Sequence, residues 1–225
     1  METKLSEIAN PLTEGKCDVV VDLEAIRAPT VFSARRKHVR LCKSLLEGES
    51  AKEAISGLTK TVDVFGFSKG QFSLIDIITA CLERTGPAAL VLSTWTAKHA
   101  DLTQMMGFLK SGLVTDAKFI LDFSFQRRAP AVAQAIRDTF GIESLRITRN
   151  HAKFFLLGNA EWSLTCKTSM NLNTNPRLED FDISNDRNLF DFLSCIVADI
   201  FSLHSGKRQA NMNTSELFQQ WQHEK

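Results

Sequence analysis

Apolar and polar positions follow two rhythms along this chain. Compact apolar runs at 61–67, 88–94, 117–123 and 146–148 predict strands. Between them, stretches at 72–83, 97–110 and 130–140 carry apolar residues every three or four positions and predict helices, the last with Pro130 in its first turn. A final helix over 186–203 lines up Leu189, Leu193, Ile196, Val197 and Ile200 on one face. Nearer the start, 17–23 reads as a short strand. Residues 31–47 read as an amphipathic helix, with Val39, Cys42 and Leu46 on one side and Arg36, Arg40 and Lys43 on another. Ser50 opens a second short helix ending near Gly57. Strands separated by helices predict an α/β fold: a mixed β-sheet flanked by helices on both faces, with an N-terminal helical extension. The expected division is an arm and helices over 1–57, a core over 58–205 and a polar tail over 206–225. No internal repeat is found.

The stretch Arg149-Asn150-His151-Ala152-Lys153 runs into Phe154-Phe155-Leu156-Leu157, a buried strand closed by Gly158 and Asn159. Strand side chains alternate, so His151 and Lys153 face the same way, roughly 6–7 Å apart. A tight reversal at Asn159-Ala160 would pair this strand with 162–168 and set residue 151 opposite 168. Ser169 and Asn171 then arrive beside the His–Lys pair with a hydroxyl and an amide suited to an anionic oxygen. Glu179, eight positions past Asn171, is placed to orient the imidazole.

In order and spacing these five groups resemble the phospholipase D superfamily, whose signature is His-x-Lys, four residues, Asp, then Gly-Ser-x-Asn. His151, Lys153, Ser169 and Asn171 match it, and Glu179 falls where the single-motif nucleases of that superfamily carry a further acid. Gly158 stands in place of the Asp and Thr168 in place of the Gly. The resemblance implies a phosphodiesterase of the nuclease branch, of bacterial or phage type, working through a phosphohistidine on His151. It also implies Lys153 and Asn171 on the non-bridging oxygens, Ser169 supporting the phosphate and a second histidine as acid and base. The full signature occurs once: none of His38, His99 or His204 lies in a His-x-Lys context, and His223-Glu224-Lys225 repeats only the His-x-Lys part. A homodimer that pairs two His151 residues would supply the second imidazole. No cofactor or metal is implied. The alternative is a catalytically inactive chain that uses the pocket to bind phosphate or nucleic acid, or in assembly.

Charge adds a constraint. The 225 residues carry 27 basic and 26 acidic side chains, a net +1, so a polyanion must be met by a local surface. The cluster Arg35-Arg36-Lys37-His38-Val39-Arg40 reads as a solvated helix face, with a phosphate-backbone contact as the competing reading. Arg127 and Arg128 follow a predicted strand end, where ligands of open α/β sheets gather, and are candidate phosphate contacts. Arg149, Asn173 and Arg177 flank the motif as further candidate substrate contacts. The five cysteines, Cys17, Cys42, Cys81, Cys166 and Cys195, form no Cys-x-x-Cys pair, which points to reduced thiols, no zinc site and a cytoplasmic setting. No stretch offers the ~20 apolar residues a membrane span requires. The expected partner is a nucleic acid or other phosphodiester, with no membrane.

Overall fold

The computed structural model describes residues 21–22, 25–27, 37–44, 50–173 and 176–203, excepting the side chains of Gln126 and Arg127. In chain order the elements are β1 (Val39–Ser44), α1 (Ala51–Ala54), β2 (Val62–Ser68), α2 (Leu74–Thr85), β3 (Ala88–Thr94), α3 (His99–Lys110) and β4 (Val114–Asp122). They continue with α4 (Ser124–Arg128), α5 (Pro130–Phe140), β5 (Leu145–Thr148), β6 (Phe154–Gly158), β7 (Ser163–Thr168), β8 (Glu179–Asn185) and α6 (Arg187–Ser202). The strands form one sheet in the order β1-β2-β8-β7-β6-β3-β4-β5.

Pairing is parallel for β1 with β2, β3 with β4 and β4 with β5, and antiparallel for β2 with β8, β8 with β7, β7 with β6 and β6 with β3. Six strands therefore share one direction while β6 and β8 oppose it. The carboxyl ends of β2, β3, β4 and β7 come to the same edge as the starts of β6 and β8.

Both faces are covered. On one, Leu90 and Leu92 of β3, Phe119 and Leu121 of β4 and Phe155 and Leu157 of β6 pack with residues of α2, α3 and α5. Each such fully buried side chain contributes roughly 1.5–3 kcal/mol. On the other, Ile120 packs with Val197 and Ile200 of α6, joined by Val91 and Phe154. The expected α/β architecture with a mixed sheet and two helical layers is the one observed.

Local chemistry sets the helix starts. Ser50 and Glu53 form a reciprocal cap, with the Ser50 N–H donating to Glu53 Oε2 at 2.6 Å. Asp76 accepts from the backbone N–H of Ser73 at 2.8 Å, and Asp186 accepts from the N–H groups of Asn188 and Leu189 at 3.0 and 3.2 Å. Acceptors placed there satisfy donors that the first helical turn leaves open.

The N-terminal helix expected over 31–47 is corrected at its centre. Residues 39–44 form an edge strand in register with β2, Val39 opposite Val62 and Ser44 opposite Phe67. Val-Arg-Leu-Cys-Lys-Ser satisfies a period of two as well as a helical one, and a neighbouring strand with open backbone groups decides between them. Residues 31–36 and 45–49 lie outside the described set, as do 17–20 and 23 of the strand expected at 17–23 and the polar tail expected over 206–225. The basic run is engaged at its end: Arg40 pairs with Asp182 at 3.2 Å and His38 Nδ1 lies 3.0 Å from Asp63. Among the described residues no helix is long and apolar enough to cross a membrane.

Candidate active site

The β6–β7 hairpin carries the motif, in a register two residues from the expected one. Lys153, not His151, lies opposite Thr168: the Thr168 N–H donates to the Lys153 carbonyl at 3.1 Å, extending the pairs from Phe154↔Lys167 to Gly158↔Ser163. The reversal takes four residues because the Asn159 side chain organises it. Its Oδ1 accepts from the N–H groups of Glu161 and Trp162, both at 2.9 Å, and its Nδ2 ties the turn to the carbonyls of Thr85 and Pro87, both at 3.0 Å. An even shift preserves the faces, so the polar groups still converge.

His151 is exposed and Lys153 half-buried. Lys153 Nζ lies 3.4 Å from His151 Nδ1 and donates to the His151 carbonyl at 3.1 Å. An ammonium can only donate, so this contact places the lone pair at Nδ1 and the ring proton at Nε2. Burial pushes the Lys153 amine below the ordinary lysine value, and the Glu179 carboxylate works against that shift.

Ser169 and Glu179 join across the edge. Ser169 Oγ donates to Glu179 Oε2 and accepts from the Asp180 N–H at 3.0 Å, while the Ser169 N–H donates to the Asp180 carbonyl at 3.2 Å. This corrects the expected bond from Glu179 to the imidazole: the carboxylate is held by Ser169 and acts on Lys153 through its charge. Asn171 Oδ1 accepts from Thr94 Oγ1 at 3.4 Å, which leaves its amide N–H groups to face other acceptors. Asn173 Oδ1 is buried and makes no hydrogen bond among the described residues.

The arginines separate. Arg128 ends α4, just past β4, with its guanidinium carbon 4.0 Å from the centre of the Trp95 ring and Nη2 donating to the Trp95 carbonyl at 3.2 Å. Trp95 in turn lies 5.9 Å from the His151 ring, so Arg128 belongs to the site's surroundings. Arg127 shares α4, but its side chain is outside the described set. Arg149 and Arg177 are exposed on the segments before His151 and before Glu179.

Four participants are absent from the motif reading. Buried Asn150 donates through Nδ2 to Ser93 Oγ at 3.0 Å and to the carbonyls of Ile120 and Thr94 at 3.2 and 3.3 Å, and accepts from the Ala152 N–H at 3.1 Å. Ser93 Oγ donates to the Ala152 carbonyl at 2.9 Å. Together they clamp the loop that presents His151 onto the ends of β3 and β4. An Asn beside the candidate His is the sequence signal for this. Ser68, opposite Glu179 on β2, is fully buried with a hydroxyl that makes no hydrogen bond among the described residues. Trp95 is the fourth, and its position at a strand end would have flagged it.

Strand β8 also escaped the sequence reading. In Glu179-Asp180-Phe181-Asp182-Ile183-Ser184-Asn185, Phe181 and Ile183 are buried in the core and alternate with the polar residues Asp180, Asp182 and Ser184, the period of a strand. The position where the superfamily signature has Asp is packed from the other face: a Cβ on Gly158 would sit 2.7 Å from Phe190 Cζ of α6. No group of three or more His, Cys, Asp or Glu side chains suited to a metal ion converges among the described residues.

No protein-family model matches the chain, and no curated protein matches it. Among solved structures it is similar to polyphosphate kinase from Porphyromonas gingivalis, with a TM-score of 0.48 and 10% identity, over 77% of this chain and 32% of that one. The chain thus spans about a third of that protein's length.

Proposed function

We propose that this chain is a phospholipase D-like phosphodiesterase acting on nucleic acid. The observation that carries the reading is the His151–Lys153 pair, an exposed imidazole 3.4 Å from a half-buried ammonium, at the sheet edge where Ser169, Glu179 and Asn171 also lie. A phosphate oxygen arriving at Lys153 takes over the donor that otherwise faces Nδ1 and frees the imidazole lone pair. The unprotonated ring nitrogen attacks phosphorus, an N–P bond forms, and the bond from phosphorus to the leaving oxygen breaks. A second imidazole protonates that oxygen and then takes a proton from the water that splits the N–P bond. Lys153 and the Asn171 amide hold the oxygens on which charge accumulates. Glu179 keeps Lys153 charged and Ser169 keeps Glu179 in place. The second imidazole comes from His151 of a second copy in a homodimer.

Mixing the protein with a phosphodiester labelled at phosphorus, denaturing in alkali and mapping the label tests this directly. Label on His151, with label and cleavage both lost in His151→Asn, is the expected result. Cleavage without label, or undiminished in His151→Asn, overturns the mechanism.

Three departures favour a second reading. Gly158 and Thr168 depart from the superfamily signature, and Glu179 is bonded to Ser169 and not to the imidazole. A binding or assembly protein that holds a phosphate on Lys153 without cleaving it fits those departures. Such a protein binds oligonucleotide and forms no phosphohistidine.

A further inference from the structure

Trp95 sits just past the end of β3, half-buried, with an exposed guanidinium laid over its ring on one side and the His151 imidazole 5.9 Å away, tilted by 54°. The Arg128 side chain is doubly fixed, by the 4.0 Å approach to the indole and by the 3.2 Å bond from Nη2 to the Trp95 carbonyl. Exposed arginines usually retain rotamer freedom; this one has been immobilised as a plane before any ligand arrives. Taken end to end, the two ring distances keep guanidinium and imidazole within about 10 Å of one another, so whatever Arg128 holds is a near neighbour of the group that His151 attacks.

A fixed guanidinium on an indole has two unused features. Its outer face is an open π-plane, and the N–H donors other than the one given to the Trp95 carbonyl form a fork suited to phosphate. We propose that Trp95 and Arg128 form a nucleobase-stacking subsite, in which an unpaired base lies on the outer face of the guanidinium and the adjoining phosphate is held by its free N–H groups. The substrate is therefore single-stranded nucleic acid, or the unpaired end of a duplex. Bases inside a duplex have both faces covered by their neighbours and gain nothing from such a plane, whereas unpaired bases stack readily on aromatic and guanidinium surfaces. The stack reads no base edge, so it tolerates any sequence. Its placement past the ends of β3 and β4 puts it where open α/β sheets gather ligands.

This inference rests on the phosphodiester reading of the neighbouring site, and its test is separate from chemistry. Binding is measured with full-length His151→Asn protein, so that no strand is consumed, using oligothymidylate, oligouridylate, an abasic strand of equal length and a duplex. The base-bearing single strands should bind about 5- to 150-fold more tightly than the abasic strand, the gain of one stacked base. Arg128→Lys keeps the charge but loses the plane, and should bring base-bearing strands to the abasic level while leaving abasic binding nearly unchanged. Arg128→Gln should weaken both. Trp95→Ala should reproduce the Lys phenotype and Trp95→Phe should restore most of the gain. A gain in either the DNA or the RNA arm supports the subsite. Equal binding of abasic and base-bearing strands, a duplex that binds as well as the single strand, or an Arg128→Lys protein indistinguishable from its parent overturns it. Because Arg128 is exposed, its variants fold. Absence of phosphohistidine labelling with intact base-dependent binding would sink the catalytic reading and leave this subsite standing.

Discussion

Asn150 and Ser93 share a hydrogen bond of 3.0 Å that crosses from the loop before His151 to the end of β3, and both residues also hold Ala152 on the other side of His151. His151 itself is exposed, so its position is imposed by its buried neighbours on either side.

Asn150→Ala removes the three hydrogen bonds that Nδ2 gives to Ser93 Oγ and to the carbonyls of Thr94 and Ile120, together with the acceptor of the Ala152 N–H, all in a largely buried setting. A loss of about 2–3 kcal/mol is expected in denaturant unfolding, together with a fall of more than tenfold in activity of the folded fraction. His151→Asn, on an exposed side chain, should abolish activity with an almost unchanged midpoint. Equal stability of the two variants would remove the clamp from the account.

The pH profile should carry the mark of Lys153. Burial favours its neutral amine and lowers its pKa, and only the ammonium holds a phosphate oxygen. Activity therefore declines on the alkaline side as pH rises through this lowered value, earlier than an ordinary lysine would dictate. Glu179→Gln retains a partner for Ser169 but deletes the charge that favours the ammonium, so the alkaline limb should move to still lower pH. A limb that stays put, or moves upward, would separate Glu179 from Lys153.

Cleavage should survive excess EDTA. In the proposed mechanism Lys153 would bring to the phosphate the positive charge that a divalent ion supplies in metal-dependent nucleases. Activity recovered only on adding Mg²⁺ or Mn²⁺ after chelation would point to a different nuclease class.

Wild-type protein mixed with an equal amount of His151→Ala, after subunit exchange, should keep about a quarter of its activity per total protein if each cleavage needs two His151 imidazoles, the fraction of wild-type pairs in random dimers. Light scattering should report a dimer. A fully active monomer would turn attention to His99, which follows Lys98, itself bonded through its N–H to the Leu172 carbonyl at 2.9 Å beside Asn171.

Restoring the signature's carboxylate by Gly158→Asp should not raise activity. The new Cβ meets Phe190, and displacing that ring costs about 1–3 kcal/mol, a drop of roughly 2–10 °C in thermal midpoint. Phe190→Ala in the same chain should recover part of the loss in a double-mutant cycle, and simple additivity would show the two positions to be independent.

Periodicity alone determined the helical and strand pattern from β2 to α6 apart from α4 and β8, because burial on a sheet or helix face leaves its period of 2 or 3.6 in the residues themselves. The spacing of His151, Lys153, Ser169, Asn171 and Glu179 likewise pointed to the edge where they meet. Three matters were decided only by tertiary structure. Residues 39–44 became a strand because β2 offered an unpaired edge, a condition set by residues 23 positions away, as in Val39 opposite Val62. The hairpin register moved by two because the Asn159 side chain had carbonyls of Thr85 and Pro87 to bind, more than seventy positions earlier in the chain. Glu179 took Ser169 and not His151 as its partner, and Trp95 drew Arg128 toward the imidazole, because strand order brings β2, β3, β4, β6, β7 and β8 to one edge. A local pattern records which face a residue turns; which distant groups wait on that face depends on the order of the strands.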